Sequence, residues 1–192
     1  MSTIAEGVKG ALNTNYETKK LENELDFSDT VHNKTKLADR YYDLSRFEEA
    51  RLLYESCRES FNKNNPDLIQ RLIRVYFAQK DFDTVIEYSQ IIRNKTEFID
   101  SQEQIMLAWS LYNSKKIDEA KKEFIEMDGL YCNYSHRLEF AKFLNVTNEK
   151  EAASNKIAQL IDEINQMSSH EKKGKRDIFR AIKQFRTELA SH

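Results

Sequence analysis

Apolar positions in the middle of the chain recur at a constant separation of 35 residues. Leu37, Leu72 and Leu107 begin three equivalent stretches, and five further apolar columns keep the same phase. Those columns are Ala38 with Ile73 and Ala108, Tyr41 with Tyr76 and Leu111, Phe47 with Phe82 and Ile117, Ala50 with Val85 and Ala120, and Cys57 with Ile92 and Met127. A fixed period of about 20–50 residues is the signature of a repeat architecture. The pattern therefore predicts three copies of one structural unit.

Each copy contains two apolar stripes with helical spacing. In the first copy the stripes are Leu37, Ala38, Tyr41 and Leu44, followed by Phe47, Ala50, Tyr54 and Cys57. Positions three or four residues apart share a helix face, so each copy is predicted to be a pair of antiparallel helices. Short polar links join the stripes, at Ser45-Arg46, Lys80-Asp81 and Lys115-Lys116. Such a hairpin cannot cover its own apolar face, and stacking against neighbouring hairpins solves this.

Weaker patterns extend the repeats at both ends. A fourth copy has Phe140, Phe143 and Leu144 on one helix face, with Ala152 at its small position, 32 residues after Ala120. Helices are also predicted over 16–27 and over an amphipathic segment at 178–189. We expect an N-terminal extension and capping helix over 1–30, repeats over 31–65, 66–100, 101–132 and 133–168, and a basic C-terminal capping helix over 169–192.

Composition supports an all-helical chain. The 192 residues include 4 glycines and 1 proline, and sheet proteins need more of both for their turns. The formal net charge is −2, which removes the simplest case for nonspecific binding of nucleic acid or membrane. The most apolar stretch, 105–112, is far shorter than the roughly 20 residues of a membrane span.

No combination of residues is typical of catalysis or metal binding. The 4 glycines form neither a GxGxxG motif nor a P-loop, and no histidine has a second ligand at metal-site spacing. Cys57 and Cys132 lie at or beside packing positions, so we expect buried free thiols. Folding could still bring a base beside either thiol. We expect no enzyme, no cofactor and no metal.

The repeated stretches resemble the tetratricopeptide repeat (TPR), whose usual period is about 34 residues. The matching segments are LADRYYDLSRFEEARLLYE in the first copy and LAWSLYNSKKIDEAKKEF in the third. The middle copy departs from the pattern, with Ile73 and Val85 at small positions and Ser89 at the aromatic one. The resemblance implies an all-α, right-handed solenoid of helical hairpins: about three regular repeats, a divergent fourth and terminal capping helices. It also implies a scaffold for protein–protein interaction.

In repeats of this type the first helix of each hairpin lines a concave groove. Carried over by phase, the groove residues that would bind another protein or peptide are Lys36, Asp39, Tyr42, Asp43, Gln70, Arg71, Arg74, Phe77, Met106, Trp109 and Tyr112. Tyr42, Phe77 and Tyr112 recur every 35 residues. They either form an aromatic ladder for a peptide or fill space between adjacent first helices. Trp109 is likewise either an interface residue or part of the packing.

The C-terminal segment is basic, with a net charge of about +4. Its cations are Lys172, Lys173, Lys175, Arg176, Arg180, Lys183 and Arg186. They would attract anionic lipid, RNA or an acidic partner, or they form the solvated face of a capping helix. No aromatic residue is interleaved for base stacking, so nucleic acid is the less expected partner. Self-assembly into a homo-oligomer stays open as a structural role.

The whole chain also resembles a group of bacterial TPR proteins of unknown role. The stretches that carry this resemblance are SDTVHNKTKLADRYYDLSRFEEA, RLEFAKFL and KKGKRDIFRAIKQF. Those proteins have a hydrophobic membrane segment, of the type at the N-terminus of cardiolipin synthases, before the repeats. The sequence here has no such segment, so we expect a variant without it or a truncated chain. The expected location is cytoplasmic, at the inner face of the membrane if such a segment precedes Met1.

Overall fold

The computed structural model describes the backbone of residues 2–60, 63–130 and 133–190, and the side chains of 15–59, 63–129 and 133–190. All regular elements in this part of the chain are helices. In chain order they are α1 (Ser2–Phe27), α2 (Val31–Asp43), α3 (Phe47–Ser60), α4 (Pro66–Ala78), α5 (Phe82–Ile92), α6 (Gln102–Asn113), α7 (Ile117–Leu130), α8 (Tyr134–Val146), α9 (Lys150–Gln166), α10 (Ser169–Lys173) and α11 (Arg176–Ala190). The predicted all-α class is confirmed.

The middle helices pack as four hairpins, α2 with α3, α4 with α5, α6 with α7, and α8 with α9. A polar side chain caps the first helix of each hairpin by accepting a backbone N–H. The four caps are Thr30, Asn65, Ser101 and Asn133. Each cap satisfies one of the N–H groups that the first helical turn leaves without a partner. The polar residues between repeats therefore determine where each hairpin begins.

Every hairpin turns through one residue with a positive φ, although none of these residues is glycine. They are Ser45, Lys80, Lys115 and Asn148, with φ of 58°, 62°, 65° and 65°. In each turn the residue after the left-handed one donates its backbone N–H to the carbonyl oxygen five residues earlier, as Asp81 does to Tyr76. This is the Schellman ending of a helix, which usually has glycine at the left-handed position.

The chain forms two compact units, 1–99 and 100–192. Within each unit neighbouring hairpins stack, α3 against α4 and α7 against α8. The leucine column at 37, 72 and 107 is buried, and Cys57 is a buried free thiol. Cys132 lies outside the described residues. The column at Phe47, Phe82 and Ile117 is only half-buried or exposed, because it begins the second helices at the hairpin edge.

Our placement of Ala152 at the small position of the fourth repeat is wrong. The structure buries Ala153 completely and exposes Ala152. The reason is the turn: Asn148 adopts the same left-handed conformation as Lys115, 33 residues earlier. The fourth repeat is therefore two residues short of the 35-residue period, and the helix register follows from the turn.

Helices at both ends cover the hairpins. Helix α1 begins well before the predicted residue 16 and packs against α2. The segment expected to form one basic capping helix over 169–192 contains two helices, the short α10 and the longer α11. Helix α11 buries Phe179, Ile182 and Phe185 against α8 and α9. None of the described helices is long and apolar enough to cross a membrane.

Candidate functional site

The first helices of the first two hairpins enclose a hollow of about 310 Å³ in the first unit. Helix α2 contributes one wall and helix α4 the other, and α3 contributes Tyr54. Its lining residues are Asp39, Tyr42, Asp43, Tyr54, Arg71 and Arg74. Five of these six were predicted as groove residues by repeat phase. The acidic side chains come from α2 and the arginines from α4, so the hollow has one acidic wall and one basic wall.

A hydrogen-bonded network lines this hollow. The Tyr54 hydroxyl donates to Asp39 Oδ1, and the Arg71 guanidinium pairs with the same oxygen. Burial, and then the hydrogen bond to Asp39, raises the pKa of Tyr54, so its hydroxyl remains a donor at neutral pH. Because Asp39 holds one nitrogen of Arg71, the guanidinium is positioned before any ligand arrives.

A second hollow of about 440 Å³ lies along the same pair of helices and shares Arg71. It is lined by Val31, His32, Thr35, Asn65, Asp67, Leu68 and Arg71. Arg71 therefore borders both hollows. Together they provide concave surface of mixed polar and apolar character along the α2–α4 face, of the kind on which an extended segment can lie.

The other predicted residues of the first unit are divided between solvent and packing. Lys36 is exposed, and Gln70 Nε2 donates to the carbonyl oxygen of Glu97 at 2.6 Å. Tyr42 and Phe77 are half-buried and make edge-to-face contacts with Phe47 and Phe82, the first residues of their partner helices. Part of the aromatic column therefore serves the hairpins themselves.

In the second unit the predicted residues surround an aromatic cluster. The Trp109 ring packs against Tyr112, Phe124 and Phe143 with centroids 5.5–6.3 Å apart, and its Nε1 donates to Glu139 Oε2 at 2.8 Å. Tyr112 also contacts Phe143 of the next first helix. Trp109, Tyr112 and Met106 are all half-buried. The pattern of contacts gives these rings a packing role and leaves part of each at the surface.

Sequence reasoning missed two buried polar residues of α8, which contact the segment before α6 and helix α9. His136 is 1% exposed, with Nδ1 2.7 Å from Asp100 Oδ1 and Nε2 3.0 Å from the Ser101 carbonyl oxygen. Arg137, 6% exposed, donates two hydrogen bonds to Glu163 at 2.6 and 2.7 Å. These residues come from segments 26–36 positions apart. No sequence motif marks them, because only the packing of the hairpins brings them together.

The C-terminal helix presents its cations to solvent. Arg176, Arg180, Lys183 and Arg186 are exposed and follow one another at i, i+4, i+7 and i+10, so they form one stripe. Arg180 makes a loose pair with Asp177 at 3.5 Å. Of the other predicted cations, Lys172 donates to the Asn165 carbonyl oxygen, Lys175 lies 5.4 Å from the centroid of the Tyr134 ring, and Lys173 is exposed.

The described residues contain no group of three or more His, Cys, Asp or Glu side chains that could hold a metal ion. The Cys57 thiol lies near Thr35 and the Val31 carbonyl oxygen, and burial raises its pKa. A raised pKa leaves less of the reactive thiolate at neutral pH.

Comparisons with solved structures identify the fold. The chain is similar to TPR-like repeats of a protein described as a kinesin light chain from Podosopora anserina, with a TM-score of 0.65, 16% identity, and coverage of 86% of this chain and 94% of the other. It is also similar to a TPR protein of Thermus thermophilus, with a TM-score of 0.61, 9% identity and 94% coverage of both. No family model and no curated protein matches the sequence. The chain thus has the fold of TPR proteins, as its repeats predicted.

Proposed function

We propose that the protein is a non-enzymatic interaction scaffold whose α2–α4 face binds an extended segment of another protein. The observation that carries this proposal is the positioned Arg71, which borders both hollows and is held from one side by Asp39. A guanidinium that is already fixed loses little side-chain entropy on binding a carboxylate. The TPR-like fold is consistent with such a scaffold.

The chemistry of the face defines the class of segment it would bind. Arg74 is exposed on the basic wall and Asp43 on the acidic wall. A segment with a carboxylate directed at α4 and a cationic or amide group directed at α2 would satisfy both walls. The exposed edge of Tyr42 offers an apolar contact beside them. A purely apolar peptide would remove water from the charged walls without offering them hydrogen bonds, so it would bind poorly.

A peptide-display experiment tests this proposal. Libraries of extended peptides are selected on the parent protein, and the affinities of enriched peptides are then measured by calorimetry. We expect enrichment of acidic residues and a loss of at least tenfold in affinity for Arg74→Ala with Tyr42→Ala. Arg180→Ala, an exposed arginine on another helix, is the matched control and should bind normally. Equal binding by the groove variant would refute the assignment.

A second role, binding of an anionic lipid or RNA, is supported by the unobstructed stripe on α11. Arg176, Lys183 and Arg186 make no ion pair within the described residues. Sedimentation with anionic vesicles and, separately, titration with RNA at low salt test it. Reversal of Lys183 and Arg186 to glutamate should abolish any binding, and absence of binding by the parent protein would exclude this role.

We propose the cytoplasm as the location of the protein. The buried thiol of Cys57 suits that reducing compartment.

A further inference from the structure

The outer face of helix α1 exposes two large aromatic side chains. Phe27 is 93% exposed and Tyr16 is 70% exposed, the highest values among the large apolar residues described. They are 11 residues apart, which is about three helical turns, so both rings lie on one face about 16 Å apart along the axis. Lys20 and Asn23 lie between them on that face, by the same spacing. Single exposed apolar residues are common at protein surfaces, but here the two most exposed rings share one helix face.

The opposite face of α1 is the one that packs on the protein. Thr18 is buried there, and Leu21 and Leu25 are half-buried against α2. On the outer side a hollow of about 490 Å³ runs along the helix and ends at Ser28 and Asn33. Its wall includes both exposed aromatics. The outer face therefore has the length and shape to receive another helix.

The order of residues on this face is symmetric. A two-fold axis midway between residues 21 and 22 would relate α1 to an antiparallel copy of itself. Position 16 would then lie opposite position 27 of the second copy, and position 20 opposite position 23. Each Tyr16 would thus meet a Phe27, and each Lys20 would meet an Asn23. A face that matches itself in this way favours a second copy of the chain over an unrelated partner.

The charges beside the face obey the same symmetry. Around a two-fold axis, one flank of a helix faces the same flank of its antiparallel copy. Lys20 and Glu24 lie on one flank, and Lys19 and Asp26 lie on the other. On both flanks a lysine would therefore lie close to a carboxylate of the second copy. Glu17, the other acidic residue on the flank of Glu24, is paired with Arg40 of its own chain. Within one chain the existing pairs are loose, with Lys20 3.7 Å from Glu24 and Lys19 3.8 Å from Glu22.

We propose that the protein forms a two-fold symmetric dimer in which the α1 helices pack antiparallel through Tyr16 and Phe27. The interface centres on about three turns of a single helix, which is small for a permanent assembly. The dimer is accordingly reversible and depends on protein concentration. The surface is separate from the α2–α4 groove, so dimerisation and peptide binding are independent.

Sedimentation equilibrium over a range of concentrations tests the dimer. The parent protein should show a monomer–dimer equilibrium, and Phe27→Ala should weaken the association at least tenfold. Ile125→Ala is the matched control, because Ile125 is also an exposed large apolar residue but lies on α7. A parent protein that stays monomeric at high concentration overturns the proposal, as does equal weakening by the control. Both residues are exposed, so unchanged thermal unfolding should accompany both substitutions.

A charge exchange tests the antiparallel register. Lys20→Glu gives one chain acidic side chains at both 20 and 24. Glu24→Lys gives a second chain basic side chains at both positions. Each variant alone should dimerise at least tenfold more weakly than the parent protein, while their mixture should form a heterodimer. No pairing within one chain explains such a result, since each variant holds like charges. Failure of the mixture to associate would overturn the register. Arg74→Ala should leave all these equilibria unchanged, which separates this proposal from the groove.

Discussion

The left-handed turns allow a direct test of how the hairpins are held. Lys80 has a φ of 62° in the turn between α4 and α5, and its side chain is exposed. A left-handed conformation brings Cβ close to the following carbonyl oxygen, and glycine has no Cβ. We therefore expect Lys80→Gly to stabilise the protein, although glycine normally weakens helical proteins.

The magnitude follows from two opposing quantities. A residue with a side chain pays about 1–2 kcal/mol in the left-handed region. Glycine recovers this, but it loses about 0.5–1 kcal/mol through the greater freedom of its unfolded state. The net gain for Lys80→Gly is about 0.5–1 kcal/mol. For a chain of this size a gain of that order raises the melting temperature by about 1–4 °C.

Urea unfolding followed by circular dichroism measures the gain, with Lys80→Ala as the matched control. Alanine removes the same charge and most of the side chain but keeps Cβ, so no gain is expected. Lys115→Gly should act in the same way on the second unit, because its φ is 65°. Asn148→Gly should gain less, because asparagine tolerates the left-handed region better than lysine does.

Two results would refute this reasoning. If Lys80→Ala stabilises as much as Lys80→Gly, the gain comes from loss of charge and has nothing to do with Cβ. If neither Lys80→Gly nor Lys115→Gly exceeds the parent protein in stability, the turns carry no conformational cost. In that case the absence of glycine from the turns has no consequence for stability.

Three further predictions concern the second unit. Asp100 also has a positive φ, but its carboxylate accepts a hydrogen bond from Asn133 at 2.9 Å. Because Asp100→Gly removes this carboxylate, it should lower the free energy of unfolding by about 1–2 kcal/mol. Unfolding in urea, with Lys115→Gly as the comparison, shows whether the change is a loss or a gain. Ser110 is fully buried, and its hydroxyl has no hydrogen-bond partner among the described residues. Ser110→Ala should therefore raise the melting temperature and increase the free energy of unfolding by about 0.5–1.5 kcal/mol. A lower melting temperature would show that the hydroxyl has a hydrogen-bond partner. The hydrogen bonds from Arg137 lower the pKa of Glu163, so this carboxylate stabilises the fold above its ordinary pKa and ceases to do so as pH falls through its lowered value. Glu163→Gln should therefore lower the free energy of unfolding by about 1 kcal/mol at pH 7. The difference in free energy of unfolding between this variant and the parent protein should shrink as the pH falls. A difference that stays constant from pH 7 to pH 3 would contradict this role of Glu163.

The periodic apolar columns made the repeats predictable from the sequence. Leucines 37, 72 and 107 are buried in equivalent places, since identical spacing yields identical hairpins that cover one another. The same phase selected Asp39, Tyr42, Arg71 and Arg74, which line one hollow. Phase brings these residues together because a residue's position on a helix is fixed by its distance from the buried stripe.

Where the period breaks, phase alone is insufficient. The fourth repeat shows this: sequence spacing pointed to Ala152, and the turn at Asn148 placed Ala153 in the core. Apolar columns also do not reveal which rings are used within a hairpin, as with the contact of Tyr42 and Phe47. Such contacts depend on side-chain direction, which local spacing does not determine.

The sequence by itself determined the regular helical repeats and the helix faces that carry charge, because these follow from local periodicity. The tertiary structure alone decided which distant charges meet. Asp39 lies 32 residues from Arg71, and Arg137 lies 26 residues from Glu163. The first pair depends on how one hairpin is seated on the next, and the second depends on how the two helices of one hairpin pack together. Both are set by the close packing of many side chains together. The positioned arginine of the α2–α4 face and the uncovered aromatics of α1 are consequences of that packing.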